Sequence, residues 1–133
     1  QNQFKPEPTW QVYKQTDSEW FGLPAFSLKA KLELDLFIIP LIGHTKGHVG
    51  VAIHQDNGRW VLHCGDAYYH HSQLDEVKRM PIGLKAFEAS VQAIRHERIN
   101  SLNQLKRLKA THSNEIEFFC AHDPVELDRY QNT

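Results

Sequence analysis

The stretch VGVAIHQDNGRWVLHCGD, residues 49–66, decides the fold of this 133-residue chain. Two β-rich runs, Val49–His54 and Trp60–Cys64, flank the dipeptide Asn57-Gly58. Asn-Gly is the strongest short-range hairpin signal, because a two-residue type I′ turn needs positive φ at both central residues. The stretch therefore predicts an antiparallel β-hairpin that turns at Asn57-Gly58.

The length of this turn also predicts the register of the hairpin. With a two-residue turn, Val51 lies opposite Cys64 and Val49 lies opposite Asp66. Side chains alternate between the two faces of a strand, so one apolar face is predicted. Its members are Val49, Val51, Ile53, Leu62 and Cys64. Asp66 then stands at the end of that face.

Further strands and helices are predicted on both sides of the hairpin. They are a buried strand over 35–41, helices over 83–93 and 95–112, a strand over 116–121, and a last helix after residue 123. A strand–helix–strand crossover gives parallel neighbours, so the strands that end at Cys64 and Ala121 are predicted to point the same way. Asp123 is the predicted N-cap of the last helix, with Pro124 at the first helical position and Glu126 three residues after the cap.

The first 34 residues carry a different pattern. Pro6, Pro8 and Pro24 interrupt them, and aromatic residues are scattered between polar ones. Residues 1–34 are therefore predicted to be an irregular N-terminal segment, followed by a folded unit over 35–133. The predicted fold class is α/β of the α+β type, with a mixed sheet, an Asn-Gly hairpin and flanking helices.

Composition argues against several classes of partner and location. Fifteen Lys and Arg against 16 Asp and Glu leave a net charge of -1, which disfavours nucleic acid or a membrane surface as a charge-driven partner. The basic residues Arg95, Arg98, Lys106, Arg107 and Lys109 are expected on the solvated face of an amphipathic helix. No apolar run approaches a membrane span, no signal peptide is visible, and two free cysteines suit a reducing compartment. We therefore expect a cytoplasmic protein.

Three loops bring metal-ligating residue types to one edge of the predicted sheet. They read GHTKGH over 43–48, CGDA over 64–67 and CAHDP over 120–124. The hairpin brings the first loop to the edge where the second begins, and the parallel crossover brings the third. His44, Asp66 and His122 would supply two imidazoles and a carboxylate, ligands suited to zinc, iron or manganese.

The segments GHTKGH, HCGDAYY and FFCAHDP resemble, in this order, the third, fourth and fifth motifs of the metallo-β-lactamase fold hydrolases. The resemblance covers about residues 35–130. It implies an αββα sandwich made of two similar halves, of which this chain would supply one. It also implies that His44, Asp66 and His122 are ligands of one or two metal ions, with Asp66 in the position that usually bridges two.

The resemblance extends to residues beside the ligands. Thr45 and His48 are expected to hold His44 in orientation from the second layer around the metal. Tyr69, three residues after Asp66, matches in position a tyrosine of the N-acyl homoserine lactonases that contacts the substrate carbonyl. Asp66 and Tyr69 are therefore the candidate catalytic residues, and the alternative for Tyr69 is an aromatic residue that covers the core.

The main signature of the family, HxHxDH, supplies four further ligands and precedes GHTxGH in those enzymes. Nothing in this sequence matches it, since the nine histidines are at 44, 48, 54, 63, 70, 71, 96, 112 and 122. The chain is therefore expected to be the C-terminal half of such an enzyme, cut after the second motif. His70 and His71 carry no motif and are expected to be a solvated pair.

Two hypotheses about function follow. In the first, the intact parent is a metal-dependent hydrolase whose metal-bound hydroxide attacks an ester, lactone, thioester or amide of a small-molecule substrate. In the second, the chain as given is a non-catalytic fragment with a partial metal site. Its exposed apolar sheet face would pair with a second copy, as a homodimer, or with the missing N-terminal half. A nuclease-type relative is disfavoured by the near-neutral charge.

Overall fold

The computed structural model describes residues 12, 14–29, 34–75 and 94–131. Its strands are β1 (Ser18–Trp20), β2 (Leu23–Ser27), β3 (Leu36–Pro40), β4 (Val49–His54), β5 (Trp60–His63) and β6 (Ile116–Phe119). The helices are a 3₁₀ helix (His71–Leu74), α1 (Arg95–His112) and α2 (Pro124–Gln131). The helix predicted over 83–93 lies outside the described residues. Within the described ranges, no helix combines the length and the apolar composition that a bilayer crossing needs.

All six strands form one mixed sheet in the order β1-β2-β3-β4-β5-β6. Neighbouring strands are antiparallel except β5 and β6, which run parallel and are separated in the chain by α1. Leu105 and Leu108 of α1 share one apolar core with Ile39 of β3 and Leu62 of β5. The predicted α+β class with a mixed sheet is thus confirmed, and the parallel crossover is present as predicted.

The register of the central hairpin differs from the prediction by one residue. The amide of Gln55 donates to the carbonyl oxygen of Arg59 at 2.8 Å, so the loop contains three residues, 56–58, instead of two. Gly58 takes the left-handed conformation at φ 80°, whereas Asn57 has no positive φ, and its side-chain oxygen accepts the Arg59 amide at 2.9 Å. A three-residue loop with glycine at its left-handed position therefore replaces the predicted type I′ turn.

Because of this one-residue shift, the side chains of β4 that were predicted to share a face with Leu62 lie on the opposite face of the sheet. Ala52 pairs with Leu62 and both are fully buried, whereas Val51 pairs with His63, and Ile53 is 42% exposed. The predicted common face is therefore wrong, because a slip of one residue moves every side chain of a strand to the opposite face. Leu62 and Cys64 lie in the core, and Val49, Val51 and Ile53 belong to the other face.

The segment Ser18–Ser27 forms a second hairpin of the same sheet, where the sequence predicted an irregular segment. Trp20 pairs with Leu23 across Phe21-Gly22, and both turn residues have positive φ, 46° and 79°. Phenylalanine rarely adopts this conformation. Here its ring packs edge-on against Trp20 and His112, with centroid distances of 4.8 Å to each. His112, at the end of α1, thus stabilises a turn that no strong local sequence signal predicts. The domain boundary after residue 34 stays a prediction.

The observed register predicts unequal costs for two truncations in the central hairpin. Leu62→Ala removes a fully buried side chain and should lower the free energy of unfolding by about 2–5 kcal/mol. Ile53→Ala acts on a side chain that is 42% exposed and should cost less than about 1 kcal/mol. Urea unfolding of the two variants measures the difference. Equal losses would contradict the observed register, since the other register places both side chains on one face.

Candidate metal centre

His44, Asp66 and His122 come together at the edge of the sheet where β3, β5 and β6 end. Asp66 lies between the two imidazoles. The Nε2 atom of His44 is 3.5 Å from Asp66 Oδ2, and the Nε2 atom of His122 is 2.8 Å from Asp66 Oδ1. The structure therefore brings the three candidate ligands together, with one imidazole at each carboxylate oxygen.

The Oδ1 atom of Asp66 is buried and makes no hydrogen bond. His122 Nε2 is close to this oxygen, but the contact does not have the geometry of a hydrogen bond. A buried carboxylate oxygen without a donor is costly, and a cation held by the same imidazole would remove that cost. Nitrogen and oxygen donors of this kind suit zinc, iron or manganese, so the residues present fit a metal ion.

The centre is open to solvent on the His122 side. The side chain of His122 is 56% exposed, against 30% for both His44 and Asp66. An imidazole that is half in solvent leaves room for a water molecule or a substrate atom beside it. In this chain, His122 is therefore the most accessible of the three candidate ligands.

Tyr69 contacts two of the three candidate ligands. Its hydroxyl lies 3.1 Å from His44 Nδ1, and its ring centroid lies 5.5 Å from that of His122. Burial, and next the charge of Asp66, raise the pKa of Tyr69 above its usual value, against an opposing effect of Arg98. The phenol is therefore neutral near pH 7 and its oxygen can accept or donate a hydrogen bond.

The loop that carries His44 is attached to helix α1. The carbonyl oxygen of Gly43 accepts the amide of Ile94 at 3.1 Å, and the carbonyl oxygen of Ile42 accepts the hydroxyl of Ser101 at 2.8 Å. Arg98 lies against this loop and is only 5% exposed, so its predicted place on a solvated face is wrong. A charge pattern along the helix could not reveal this, because the loop that covers Arg98 is distant in sequence.

The hydrogen bonds described for Thr45 and His48 go to residues other than His44, and their expected role in orienting His44 stays a prediction. Thr45 is exposed, and its backbone carbonyl oxygen accepts the amides of Gly43 and His48, so it shapes the loop. His48 lies 5.9 Å from His44 between ring centroids, but its two nitrogens bond elsewhere. Nδ1 lies 2.8 Å from the Leu41 carbonyl oxygen, and Nε2 accepts the Asp66 amide at 2.9 Å. His48 therefore acts on Asp66.

A second cluster of metal-ligating types, His70, His71 and Asp123, was not predicted from the sequence. In the described part of the chain, it alone has three candidate ligand atoms that all lie within 4.8 Å of one another. The Oδ2 atom of Asp123 accepts both the amide and the ring nitrogen of His71, and Oδ1 accepts the Val125 amide as an N-cap. The Nδ1 atom of His70 accepts the Ser72 amide.

In this second cluster, the Nδ1 atom of each histidine takes part in a local hydrogen bond. The two imidazole rings are stacked, with centroids 4.2 Å apart and planes 29° apart. The geometry favours a cap that joins the 3₁₀ helix to the start of α2. The expected solvated pair is therefore wrong, since both rings are half-buried and hydrogen-bonded.

Comparison with known proteins finds relatives that match most of this chain. No family model matches the chain. Probable metallo-hydrolases of Mycobacterium bovis and Mycobacterium tuberculosis are each 34% identical to it over 112 residues, which is 84% of the chain and 35% of the relative. The chain is homologous to part of a metallo-hydrolase. The chain spans about a third of the length of these curated relatives, and the resemblance to the metallo-β-lactamase fold hydrolases rests on the three sequence motifs.

Solved structures of N-acyl homoserine lactone hydrolases are partly similar to the chain. One with N-hexanoyl-L-homoserine at its catalytic metal centre is 18% identical, with a TM-score of 0.49, over 71% of this chain and 33% of that chain. A variant of the Bacillus thuringiensis enzyme with N-decanoyl-L-homoserine gives the same figures. A quorum-quenching lactonase is 19% identical, with a TM-score of 0.47, over 68% of this chain and 33% of its own.

The attachment of the His44 loop to α1 predicts that alanine substitutions at two glycines of this loop differ in their effect on stability. Gly43 has a φ of 149°, and a Cβ there would lie 2.4 Å from the Cα atom of Arg98, whereas a Cβ at Gly47 would meet nothing within 4 Å. Gly43→Ala should therefore lower the free energy of unfolding by about 1–3 kcal/mol. Gly47→Ala should change it by less than about 0.5 kcal/mol. Denaturant unfolding checks both, and equal stability of the two variants would contradict the observed contact.

Proposed function

We propose that this chain carries part of the metal centre of a hydrolase that cleaves an ester, lactone, thioester or amide of a small molecule. One observation carries the proposal: Asp66 has an imidazole nitrogen at each of its carboxylate oxygens, and one of those oxygens is buried without a hydrogen bond. Homology to part of a metallo-hydrolase supports it. The activity belongs to the whole protein, of which this chain matches one part.

The candidate ligands are His44, Asp66 and His122, and the ions that suit them are zinc, iron or manganese, one or two in number. A bound ion of this kind lowers the pKa of its water towards neutrality and polarises a carbonyl oxygen. Asp66 would hold the ligand set together, since each of its oxygens faces a different imidazole. If the Tyr69 oxygen accepts the proton of His44 Nδ1, the lone pair of His44 Nε2 is left for the ion.

Asp66 and Tyr69 are the residues that we propose to be catalytic. The neutral phenol of Tyr69 can accept from His44 and still donate its own proton to a substrate carbonyl oxygen. Such a donor stabilises negative charge that develops on this oxygen during attack. Its position beside the exposed ring of His122 supports this role, because substrate would approach from the solvent side.

The first test is metal binding by this chain. Isothermal titration with zinc should show weak binding, because three ligands leave the coordination incomplete. His122→Ala should weaken it at least about tenfold by removing a ligand. His96→Ala is the matched control, since the side chain of His96 is 89% exposed and faces Glu97. Equal affinity of the two variants would count against the proposed ligand set.

The second test is turnover by the whole protein. Its hydrolysis of a panel of lactones, aryl esters, thioesters and amides should be measured with metal supplied. Asp66→Asn should lower kcat/KM at least about 100-fold, since an amide is a poor replacement for a carboxylate between two ligands. Asp56→Asn, in the exposed loop of the central hairpin, is the control and should leave kcat/KM unchanged. Substantial turnover by the present chain alone would contradict the proposal that it is one part of the catalytic unit.

A second candidate function is association through the sheet. Val49 and Ile53 are 39% and 42% exposed, and they share the face that lies opposite the core with Ile38 and Val51. We propose that this face packs on the other half of the parent, and that two copies of the isolated chain pair through it as a homodimer.

We further propose a small-molecule substrate and a cytoplasmic location, with Cys64 and Cys120 as free buried thiols.

Sedimentation of the isolated chain tests the pairing. The chain should sediment as a dimer at micromolar concentration, and Ile53→Lys should shift it to monomer, because a buried unpaired charge opposes association. Lys29→Glu, on an exposed side chain outside this face, is the control and should leave the dimer intact. A monomer at all accessible concentrations of the unmodified chain would exclude pairing through this face.

A further inference from the structure

We propose that His48 is a positioning residue for Asp66, a neutral imidazole held in one tautomer that fixes the backbone at the candidate ligand. Its effect on metal affinity rests on the proposed function, whereas its tautomer and its bond to Asp66 do not. The inference gives the second histidine of GHTKGH a role separate from that of the first.

The tautomer of His48 follows from its two partners. The Asp66 amide can only donate, so Nε2 of His48 must carry the lone pair in the 2.9 Å bond between them. The Leu41 carbonyl oxygen can only accept, so Nδ1 must carry the proton in the 2.8 Å bond. A charged imidazolium would lose the bond to Asp66. Both nitrogens are therefore committed, and His48 has no lone pair left for a metal ion.

The position of His48 explains why Asp66 needs such a partner. The pairing of β5 with β4 ends at His63, so the Asp66 amide lies beyond the ladder of the sheet. Leu41, just after β3, is bound twice by His48: its amide donates to the His48 carbonyl oxygen at 3.0 Å, and its carbonyl accepts from the ring. Because Leu41 is only 1% exposed, the imidazole joins Asp66 to a rigid part of the core.

Gly65 provides an independent observation for the same contact. It has a φ of 55°, and a Cβ at this position would lie 2.7 Å from His48 Nε2. A side chain at residue 65 would therefore displace the imidazole from the Asp66 amide. Gly65 thus leaves the space that His48 needs in order to bind the Asp66 amide. Substitution of either residue should therefore break the same hydrogen bond.

Nuclear magnetic resonance of the ¹⁵N-labelled chain tests the tautomer and the bond. Long-range ¹H–¹⁵N correlation at neutral pH should show His48 protonated at Nδ1 and unprotonated at Nε2. Hydrogen exchange of the Asp66 amide should be at least tenfold faster in His48→Leu and in Gly65→Ala than in the unmodified chain. His48→Gln keeps one donor and one acceptor and should restore much of the protection.

Zinc titration of the same variants tests the consequence. His48→Leu should bind zinc about 10- to 100-fold more weakly, with His48→Gln intermediate, because partners of ligands contribute on this scale. His96→Leu, on an exposed side chain of α1, is the control and should bind as the unmodified chain does.

The outcomes separate this inference from the proposed function. A proton on His48 Nε2, or an Asp66 amide that exchanges equally fast with and without the imidazole, would overturn the positioning role. Failure of the unmodified chain to bind zinc would overturn the proposed metal centre, and the tautomer and exchange results would still decide the role of His48. If His48→Leu does not fold, the tautomer of the unmodified chain and the His48→Gln variant decide the matter.

Discussion

The parallel pairing of β5 with β6 is the constraint on which the candidate centre depends. The pairing continues past the last strand residues, because the Cys64 amide donates to the Phe119 carbonyl at 2.7 Å and the Ala121 amide donates to the Gly65 carbonyl at 3.1 Å. These bonds carry the two chain segments forward side by side, so that Asp66 and His122 follow at the same edge. In an antiparallel pair the two segments would leave at opposite edges. The convergence of carboxylate and imidazole is therefore a property of the strand direction.

Two buried carboxylates, one in α2 and one at its N-cap, form hydrogen bonds with the loops around this edge. Glu126 accepts the Tyr68 hydroxyl at 2.9 and 3.0 Å and the Cys120 amide at 2.9 Å, although the sequence pattern predicted it as a capping partner for the helix itself. Asp123 accepts the ring and the amide of His71. Charge-assisted bonds of this kind offset the desolvation of the two carboxylates. Burial raises the pKa of the Cys120 thiol to about 12, so this thiol stays protonated and unreactive beneath the centre.

Features of the site that depend on chain order could be read from the sequence, and features that depend on local geometry could not. The convergence of the loops follows from a hairpin and a parallel crossover, whatever the register of the hairpin. The hydrogen-bond partner of His48 could not be read in this way. Its ring lies near that of His44, but its Nε2 atom accepts the amide of Asp66. The burial of Arg98 depends on the approach of the Gly43 loop to α1, which no periodicity along the helix expresses.

The amino-acid sequence by itself determined the family resemblance, the mixed α+β class and the set of residues that meet at the sheet edge, because these follow from motifs and from the order of strands and helices. Only the tertiary structure decided which face of the central hairpin is buried, because Ala52 and Leu62 pack in the core that α1 covers, and a shift of one residue would turn one of them away from it. It also decided the turn at Phe21-Gly22, where the contact of Phe21 with the ring of His112, distant in sequence, outweighs local conformational preference. Local preferences are weak beside such contacts, and for this reason neither feature could be read from the chain alone.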